Sequence, residues 1–225
     1  MRKRKENINM KKKIVLGSAS PRRRELLSQI GVEFTVRVSD KEEVYHSDVP
    51  EEIVKELALM KAENVAEDLA ADLKAADSSE RDGKMENPGA EELKNMVIIG
   101  ADTIVVLDRK ILGKPKEEED AFRMLRALQG RAHEVYTGVA VLDYDSDGRL
   151  RIKNHAVKTE VYVHEMTDEE IRGYIATKDP MDKAGSYGIQ GCFAKYIDRI
   201  DGDYYNVVGL PVSFVYQALK DMEAL

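Results

Sequence analysis

Four short segments of the sequence carry residue types that could perform phosphate chemistry. The first is the segment 17–24, GSASPRRR, in which small residues precede three arginines. Backbone N–H groups at the start of a helix are unpaired and stabilise an anion. Ser18 adds a hydroxyl donor, and Arg22 and Arg23 add planar guanidinium groups suited to phosphate oxygens. The segment indicates a phosphate site, although a capped surface helix with solvated arginines fits the same residues.

The second segment places a carboxylate at the end of an apolar strand. Asp102 follows the run VIIGA, at the position where open α/β sheets usually bind their ligands. A carboxylate beside buried aliphatic side chains requires a cation or hydrogen-bond donors. A turn-forming or helix-capping aspartate is the alternative. Lys114 lies further along the chain, on the turn Gly113-Lys114-Pro115 after a predicted hairpin. By residue type alone, an ordinary exposed lysine is the alternative interpretation.

The third segment is the acidic run 40–43, DKEE, at the end of an extended stretch. Mg²⁺ binds carboxylate oxygens and retains waters, so two acids from separate segments suffice when phosphates supply the remaining ligands. Glu43 and Asp102 could be such a pair. Their spacing does not show that they converge, and a solvated acidic loop is the alternative.

The fourth segment, 180–191 (PMDKAGSYGIQG), combines three glycines with Gln190. Glycine lets the backbone approach a ligand closely, and a glutamine amide can both donate to and accept from a base edge. A glycine-rich structural loop is the alternative interpretation. The histidines are far apart in the sequence, and Cys192 has no assignable base, which disfavours thiol catalysis.

The elements that must position these segments alternate between strands and helices, which predicts the α/β class. A short strand enters a helix that begins at Pro21 and ends near Gly31, and a capping box at Thr167 opens another helix. The remaining predicted strands are 97–107, 135–142, 152–163 and 194–200, and the remaining predicted helices are 51–65, 117–128 and a C-terminal helix with an apolar stripe from Val212 to Met222.

The length and composition predict one domain over residues 13–225 of the 225-residue chain. Residues 72–95 lose apolar periodicity and gain charge, so we expect an inserted polar loop there. Residues 2–13 carry seven basic side chains and one acidic one, which predicts a basic, flexible extension over residues 1–12. A single cysteine excludes an intramolecular disulfide and fits a reducing compartment.

Charge and hydropathy exclude several function classes. The whole chain carries a net charge of −7 despite its basic start, so the folded body is acidic and repels nucleic acid at long range. Neither a signal-peptide core nor a membrane-spanning run of apolar residues occurs. We therefore expect a cytoplasmic protein that acts on small molecules, with no nucleic-acid or membrane partner.

Six segments in order resemble the Maf family of nucleoside triphosphate pyrophosphatases. They are SASPRRRELL (18–27), GADTIVV (100–106), LGKP (112–115), HEVYTGVAV (133–141), DKAGSYGIQG (182–191) and GDYYNVVGLP (202–211). The resemblance implies a Maf/ITPase-like α/β fold: a mixed, elongated central sheet flanked by helices, with two lobes and a substrate cleft. It also implies hydrolysis of a nucleoside triphosphate to the monophosphate and pyrophosphate with a divalent cation, Mg²⁺, Mn²⁺ or Co²⁺, and a homodimer.

The resemblance also implies roles for individual residues. Asp102 corresponds to the family's proton acceptor and lies at the metal, and Glu43 is similar to its metal-associated acid. Two sets of positions bind the substrate: those that contact phosphates are Ser18, Arg22, Lys61 and Lys114, and those that match the branch acting on dTTP and UTP are Arg22, Thr103 and Gln190. The branch acting on 7-methyl-GTP commonly has a bulky aromatic residue in place of that arginine, so the resemblance favours pyrimidine nucleotides.

One departure from the family leaves local contacts to the substrate open, and two alternative functions remain. Residues 192–196 replace a more glycine-rich stretch of the family, next to the predicted substrate segment. A septum-regulating interaction protein, in which nucleotide hydrolysis is secondary, is the alternative that the resemblance carries. A nucleic-acid binder that uses the basic N-terminal residues is the alternative that charge alone allows.

Overall fold

The computed structural model describes residues 12–79, 92–145 and 148–225 of the chain. Within them, the strands are β1 (Lys13–Leu16), β2 (Thr35–Val36), β3 (Met96–Leu107), β4 (Lys110–Leu112), β5 (Ala132–Tyr144), β6 (Leu150–Val163) and β7 (Ile197–Asp201). The principal α-helices are α1 (Pro21–Gln29), α2 (Pro50–Ser79), α3 (Glu118–Leu128), α4 (Asp168–Ala176), α5 (Tyr204–Val208) and α6 (Val212–Asp221). Short 3₁₀ helices span Asp179–Asp182, Ala184–Ser186 and Cys192–Tyr196.

The strands form one mixed sheet in the order β2-β1-β3-β5-β6-β7, with β4 paired to β3. β1 is parallel to β2 and β3, whereas the other pairs are antiparallel. β1 pairs with residues 96–99 of β3, and β4 pairs with residues 105–107 on the same side. Between them, this edge of β3 has no neighbouring strand among the described residues. The backbone edge of β3 is therefore unpaired at residues 100–104 within the described part of the chain.

The two faces of the sheet are covered by different helices. One large apolar cluster includes Leu27 of α1, Leu125 of α3, Ile171 of α4 and Leu219 of α6, all with no exposed surface. On the opposite face, α2 packs against β3 and β5 through smaller clusters built around Val54, Ala58, Ala62, Ile98 and Ile104. Along β3, side chains alternate between the two faces. Asp102 therefore lies on the α2 face, and Thr103 on the other.

Two glycines let α2 lie unusually close to the sheet. A Cβ at Gly100 would be 2.2 Å from the carbonyl oxygen of Ala58, and one at Gly138 would be 2.0 Å from that of Val54. Gly138 pairs directly with Asp102 across the β3–β5 ladder. The helix backbone thus occupies the space of two missing side chains. This close approach determines how far Lys61, one turn beyond Ala58, stands from Asp102.

Most of the predicted elements are confirmed. Helix α1 begins at Pro21, and the loop that precedes it leaves β1 at Leu16, as the punctuation of the sequence predicts. At α4 the capping box is complete, since the Thr167 side chain accepts from the Glu170 amide and the Glu170 side chain accepts from the Thr167 amide. The α/β class and the mixed central sheet are also as expected.

Three predictions differ from the structure. Residues 72–79, expected in a polar loop, continue α2 because the alanine-rich sequence keeps high helix propensity after its apolar stripe ends; residues 80–91 of that predicted loop lie outside the described residues. The strand expected from Ala194 begins only at Ile197, after a 3₁₀ helix. Lys12, assigned to the basic extension, donates at 2.6 Å to the buried Asp143, while residues 1–11 lie outside the described residues.

Within the residues that the structure describes, no helix is both long enough and apolar enough to cross a membrane.

Replacing Gly100 with alanine tests the close approach of α2. The new methyl group would meet helix backbone rather than a flexible side chain, so α2 must shift, and we expect a loss of about 1–3 kcal/mol or more in the free energy of unfolding. Gly173 in α4 is a matched control, because a Cβ there meets nothing within 4 Å. Gly173→Ala should raise stability by about 0.5–1 kcal/mol through helix propensity. Equal effects of the two substitutions in urea unfolding would contradict the account.

Strand β5 carries a buried histidine. His133 of β5 is 3% exposed, and its Nε2 lies 2.7 Å from the hydroxyl of Tyr187. Burial lowers the pKa of His133 to about 4, because the protonated ring would lose its hydration. Its Nδ1 is buried without a partner among the described residues. The folded protein therefore holds this imidazole neutral at neutral pH.

This histidine makes stability depend on pH in a defined window. Below pH 6.5 the unfolded chain binds a proton at His133 that the folded chain binds only near pH 4, so stability falls as the pH falls between these values. The total loss should be roughly 3 kcal/mol. The measurement is the difference in unfolding free energy between wild type and His133→Phe from pH 7 to pH 4. Parallel curves for the two proteins would contradict the assignment.

Candidate active site

A cleft of about 660 Å³ opens at the unpaired edge of β3. The loop after β1, the chain between β2 and α2, and the chain from Asp179 to Gly191 form its walls. All the residues predicted from the sequence line this one cleft: Ser18, Arg22, Arg23, Glu43, Lys61, Asp102, Thr103, Lys114 and Gln190. Positions separated by up to 172 residues in the chain are thus brought to one place.

Two carboxylates meet at one ammonium group in the cleft. Lys61 Nζ lies 2.5 Å from Asp102 Oδ1 and 3.1 Å from Glu43 Oε2. The lysine comes from α2, the aspartate from β3 and the glutamate from the chain before α2. Asp102 keeps 16% of its side chain exposed and Glu43 keeps 49%, so the pair is accessible from the cleft. The convergence of Glu43 and Asp102, which the sequence spacing did not show, is present in the structure.

Arg23 connects three walls of the cleft through its guanidinium group. It donates to the Gly209 carbonyl at 2.8 Å, to Ser18 Oγ at 3.0 Å and to Thr103 Oγ1 at 3.1 Å. The residue is only 9% exposed. Burial lowers the pKa of Arg23, and the charge of Asp102 partly opposes that shift. Three of its five N–H groups are therefore directed at the protein itself.

The hydrogen bonds that Ser18 accepts fix the direction of its hydroxyl group. Its oxygen accepts from Arg23 Nη1 and, at 3.3 Å, from the amide of Ser20. A serine oxygen has two lone pairs, so both are occupied by protein donors. The O–H of Ser18 is left as a donor at the wall of the cleft. Such a group binds an acceptor such as a phosphate oxygen.

The hydrogen bonds of Thr103 give its hydroxyl the opposite role, that of an acceptor. Thr137 Oγ1 donates to the Asn206 carbonyl at 2.9 Å, so its hydrogen is used there. Thr103 Oγ1 lies 2.9 Å from Thr137 Oγ1 and must therefore donate to it, while it accepts from Arg23. One lone pair of Thr103 remains. Its hydroxyl can only accept from a ligand.

The wall opposite these residues is charged. Arg22 Nη1 lies 3.6 Å from Asp182 Oδ2, and Lys183 Nζ lies 2.7 Å from Asp182 Oδ1 and 3.0 Å from Asp179 Oδ1. Tyr174 in turn donates to Asp179 at 2.6 Å. The side chain of Lys183 is only 13% exposed, between its two acids. Asp179 and Lys183 line the cleft, and sequence reasoning did not select them as site residues.

The glycines of segment 180–191 make room for neighbouring side chains. A Cβ at Gly188 would be 2.8 Å from Lys183 Cε, and one at Gly185, whose φ is +68°, would be 2.9 Å from a Val105 methyl. The glycine-rich loop alternative therefore explains these two residues. The glycines did not by themselves indicate Asp179 or Lys183, because the fold decides which side chains the missing Cβ atoms make room for.

Lys114 and Gln190 complete the lining, and both are exposed. The turn that carries Lys114 is joined to the segment of Gln190 by a hydrogen bond from the Gly185 amide to the Gly113 carbonyl at 3.1 Å. Pro115, which follows Lys114, is buried and fixes the turn. The two exposed side chains are therefore carried on backbone that the fold holds in place.

The carboxylates offer an incomplete site for a cation. Among the described residues, no group of three or more histidine, cysteine, aspartate or glutamate side chains could hold a metal ion. Glu43 and Asp102 nevertheless direct oxygens at a single positive charge, Lys61 Nζ. Mg²⁺ is commonly held by one or two carboxylates together with substrate phosphates. The donor set fits a divalent cation that arrives with a phosphate ligand.

Several bacterial dTTP/UTP pyrophosphatases are similar to this chain over most of its length. A dTTP/UTP pyrophosphatase of Agathobacter rectalis is 47% identical over 209 residues, which cover 93% of this chain and 97% of that protein. One from Bacillus cereus is 45% identical over 220 residues, covering 96% and 93% of the two chains. One from Alkaliphilus metalliredigens is 47% identical over 201 residues, covering 89% and 91%.

Among solved structures, a nucleoside-triphosphatase/dITP/XTP pyrophosphatase from Mycobacterium abscessus is 12% identical, with a TM-score of 0.36, covering 93% of this chain and 97% of that chain. A likeness this weak carries no argument. The family model described as Maf-like protein matches residues 13–222, which include every residue of the cleft described above. With that match, and with relatives this similar over nearly their whole length, the chain belongs to the Maf family.

Proposed function

We propose that the protein hydrolyses dTTP and UTP to the nucleoside monophosphate and pyrophosphate. The observation that carries the proposal is the meeting of Glu43 and Asp102 at Lys61 inside a cleft lined by further cations. A triphosphate needs both positive charge for its oxygens and a carboxylate for the attacking water. The relatives at 44–47% identity that are named dTTP/UTP pyrophosphatases support the same substrate.

We assign the triphosphate to the cations along the cleft. Arg22, Lys61 and Lys114 come from three separate segments of the chain and can offset the negative charge of the leaving pyrophosphate. The Ser18 hydroxyl, with both lone pairs occupied, serves as an additional donor to a phosphate oxygen. Arg23 acts on the substrate through Ser18 and Thr103, because its guanidinium donates to both of them.

We assign the attacking water to Asp102. Its carboxylate is held by Lys61 at 2.5 Å and keeps part of its surface in the cleft. From there it can accept a proton from a water molecule that attacks the α-phosphorus. The bond from the water oxygen to the α-phosphorus forms as the bond from the α-phosphorus to the bridging oxygen breaks. The products are the monophosphate and pyrophosphate. General-base assistance of this kind typically contributes ~10²–10⁴-fold to the rate. Transfer of this type otherwise depends on positioning and charge.

Glu43 and Asp102 are the residues we assign to a divalent cation, Mg²⁺ or, in its place, Mn²⁺ or Co²⁺. Such a cation, when bound with the nucleotide, supplies neutralising charge at the phosphate oxygens. The residues themselves provide two carboxylates from separate segments, with Lys61 near enough to pair with either carboxylate or phosphate. A cytoplasmic location and a homodimeric state remain expectations from the sequence.

We assign the base to Thr103, Gln190 and Arg22. Uracil and thymine share an imide N–H between two carbonyl oxygens. Thr103 can only accept a hydrogen bond, which suits the imide N–H, and the exposed Gln190 amide can both donate and accept. A site that pairs with these groups rejects bases that leave it unpaired. Purine nucleotides should therefore be poor substrates.

The test is a panel of nucleoside triphosphates assayed with and without Mg²⁺, with pyrophosphate and orthophosphate measured separately. We expect pyrophosphate as the first product, with dTTP and UTP preferred over GTP and ATP, and loss of turnover when Mg²⁺ is chelated. Orthophosphate as the first product would place cleavage at the γ-phosphate and contradict the proposal. Equal rates for GTP and dTTP would contradict the assignment of the base.

Asp102→Asn is the control that assigns the activity to this cleft. The amide keeps the size of the carboxylate but cannot take a proton from water, so turnover should fall by at least ~10²-fold while the melting temperature stays close to that of wild type. Turnover near the wild-type rate would remove Asp102 from this role.

A further inference from the structure

The chain that carries Glu43 to the cleft lies along α2 without secondary structure of its own. Residues 37–49, all of which the structure describes and which we term the strap, contain no helix or strand. The strap contacts α2 through polar groups at intervals: Arg37 with Asp72 at 2.8 Å, Lys41 with Glu67 at 2.7 Å, Glu43 with Lys61 at 3.1 Å, and the His46 amide with Glu56 at 2.7 Å.

The strap runs antiparallel to the helix and has little slack. As the chain advances from Arg37 to His46, its partners retreat along α2 from Asp72 to Glu56. That stretch of helix rises by roughly 24 Å. The corresponding part of the strap can span at most roughly 30 Å when fully extended. A displacement of one tether therefore moves the residues beside it.

Apolar packing contributes little to holding the strap. Val38, Val44, Tyr45 and Val49 keep 45%, 48%, 47% and 49% of their surface exposed. Burial at this level leaves most of the hydrophobic contribution unused. The position of the strap therefore depends on polar contacts, among which the ion pairs with α2 are individually weak and screened by salt.

Lys41 is the strap residue with two acidic partners. Its Nζ lies 2.7 Å from Glu67 Oε2 and 3.1 Å from Asp68 Oδ1. The hydrogen bonds to Glu67 and then to Asp68 raise the pKa of Lys41. In an extended chain, residues two apart face the same side, so Lys41 and Glu43 both face α2. Both side chains line the cleft.

We propose that Lys41 is a positioning residue: by pairing with Glu67 and Asp68 it holds the strap so that the Glu43 carboxylate meets Lys61 and Asp102. Its activity readout rests on the proposed function. Without this tether, Glu43 is in place in only a fraction of the free molecules, and bound substrate must select that fraction. The consequence is a higher KM, with kcat nearly unchanged because saturating substrate restores the arrangement.

The first experiment compares Lys41→Met with a control substitution of a lysine on α2. Lys55 pairs with Glu52 at 2.8 Å and is similarly accessible, but it contacts neither the strap nor the cleft. We expect Lys41→Met to raise the KM for UTP roughly two- to thirty-fold, the range for losing two exposed ion pairs. Lys55→Met should leave KM unchanged, and an unchanged KM in Lys41→Met would overturn the proposal.

The second experiment distinguishes positioning from direct contact with the triphosphate. Lys41→Glu should raise KM further, and combining it with Glu67→Lys and Asp68→Asn recreates an ion pair of opposite direction. Recovery of KM in the triple variant supports the proposal, because only the tether has been restored. A KM that stays high overturns it, because the substrate then requires a positive charge at position 41.

The third experiment reads the strap without using activity. In the nucleotide-free protein, the His46 amide donates to Glu56 and the Arg37 amide donates to the Leu16 carbonyl at 3.1 Å. Hydrogen exchange over residues 37–46 should be faster in Lys41→Met than in wild type and unchanged in Lys55→Met. Unchanged exchange in Lys41→Met would overturn the positioning role of Lys41. This measurement does not depend on pyrophosphate release by the wild type, so the two proposals can fail separately.

Discussion

The site depends on the close approach of helix α2 to the central sheet. Val54 and Ala58 place their carbonyl oxygens where side chains of Gly138 and Gly100 would otherwise be. Since Asp102 is the ladder partner of Gly138, the same approach brings α2 alongside that carboxylate. Lys61 then reaches Asp102 at 2.5 Å and Glu43 at 3.1 Å. A helix held farther away would leave two unpaired carboxylates and a lysine in solvent.

Around this centre, hydrogen bonds set the chemical polarity of the cleft walls. Arg23 donates to Ser18, Thr103 and Gly209, which belong to three distant segments of the chain. The chain of contacts continues through Thr137 to the buried Asn206, whose Nδ2 donates to Val135 and Thr159. One hydroxyl is left as a donor and another as an acceptor. Which hydroxyl donates and which accepts is therefore set by the whole hydrogen-bond network rather than by any single residue.

The residues that the motif resemblance selected all line one cleft, and most of them lie in short segments whose local pattern is distinctive. The convergence of Glu43 with Asp102 was not predictable from spacing, since it depends on how closely α2 packs. The strap was also missed, because ion pairs between Lys41 and Glu67 follow no period in the sequence. Helix α2 was also predicted too short: beyond residue 65, Ala66 and Leu69 pack, partly buried, against the core, and the alanine-rich sequence keeps high helix propensity.

We propose that Glu43 and Asp102 bind one divalent cation together with the triphosphate. Binding of Mn²⁺ to the protein with a non-hydrolysable α,β-imido analogue of dUTP, followed by electron paramagnetic resonance, tests this directly. We expect Glu43→Gln and Asp102→Asn each to weaken Mn²⁺ binding by roughly 10–100-fold or more. Loss of a residue that only supports a metal ligand typically has an effect of that size. Wild-type Mn²⁺ affinity in Glu43→Gln would contradict the claim.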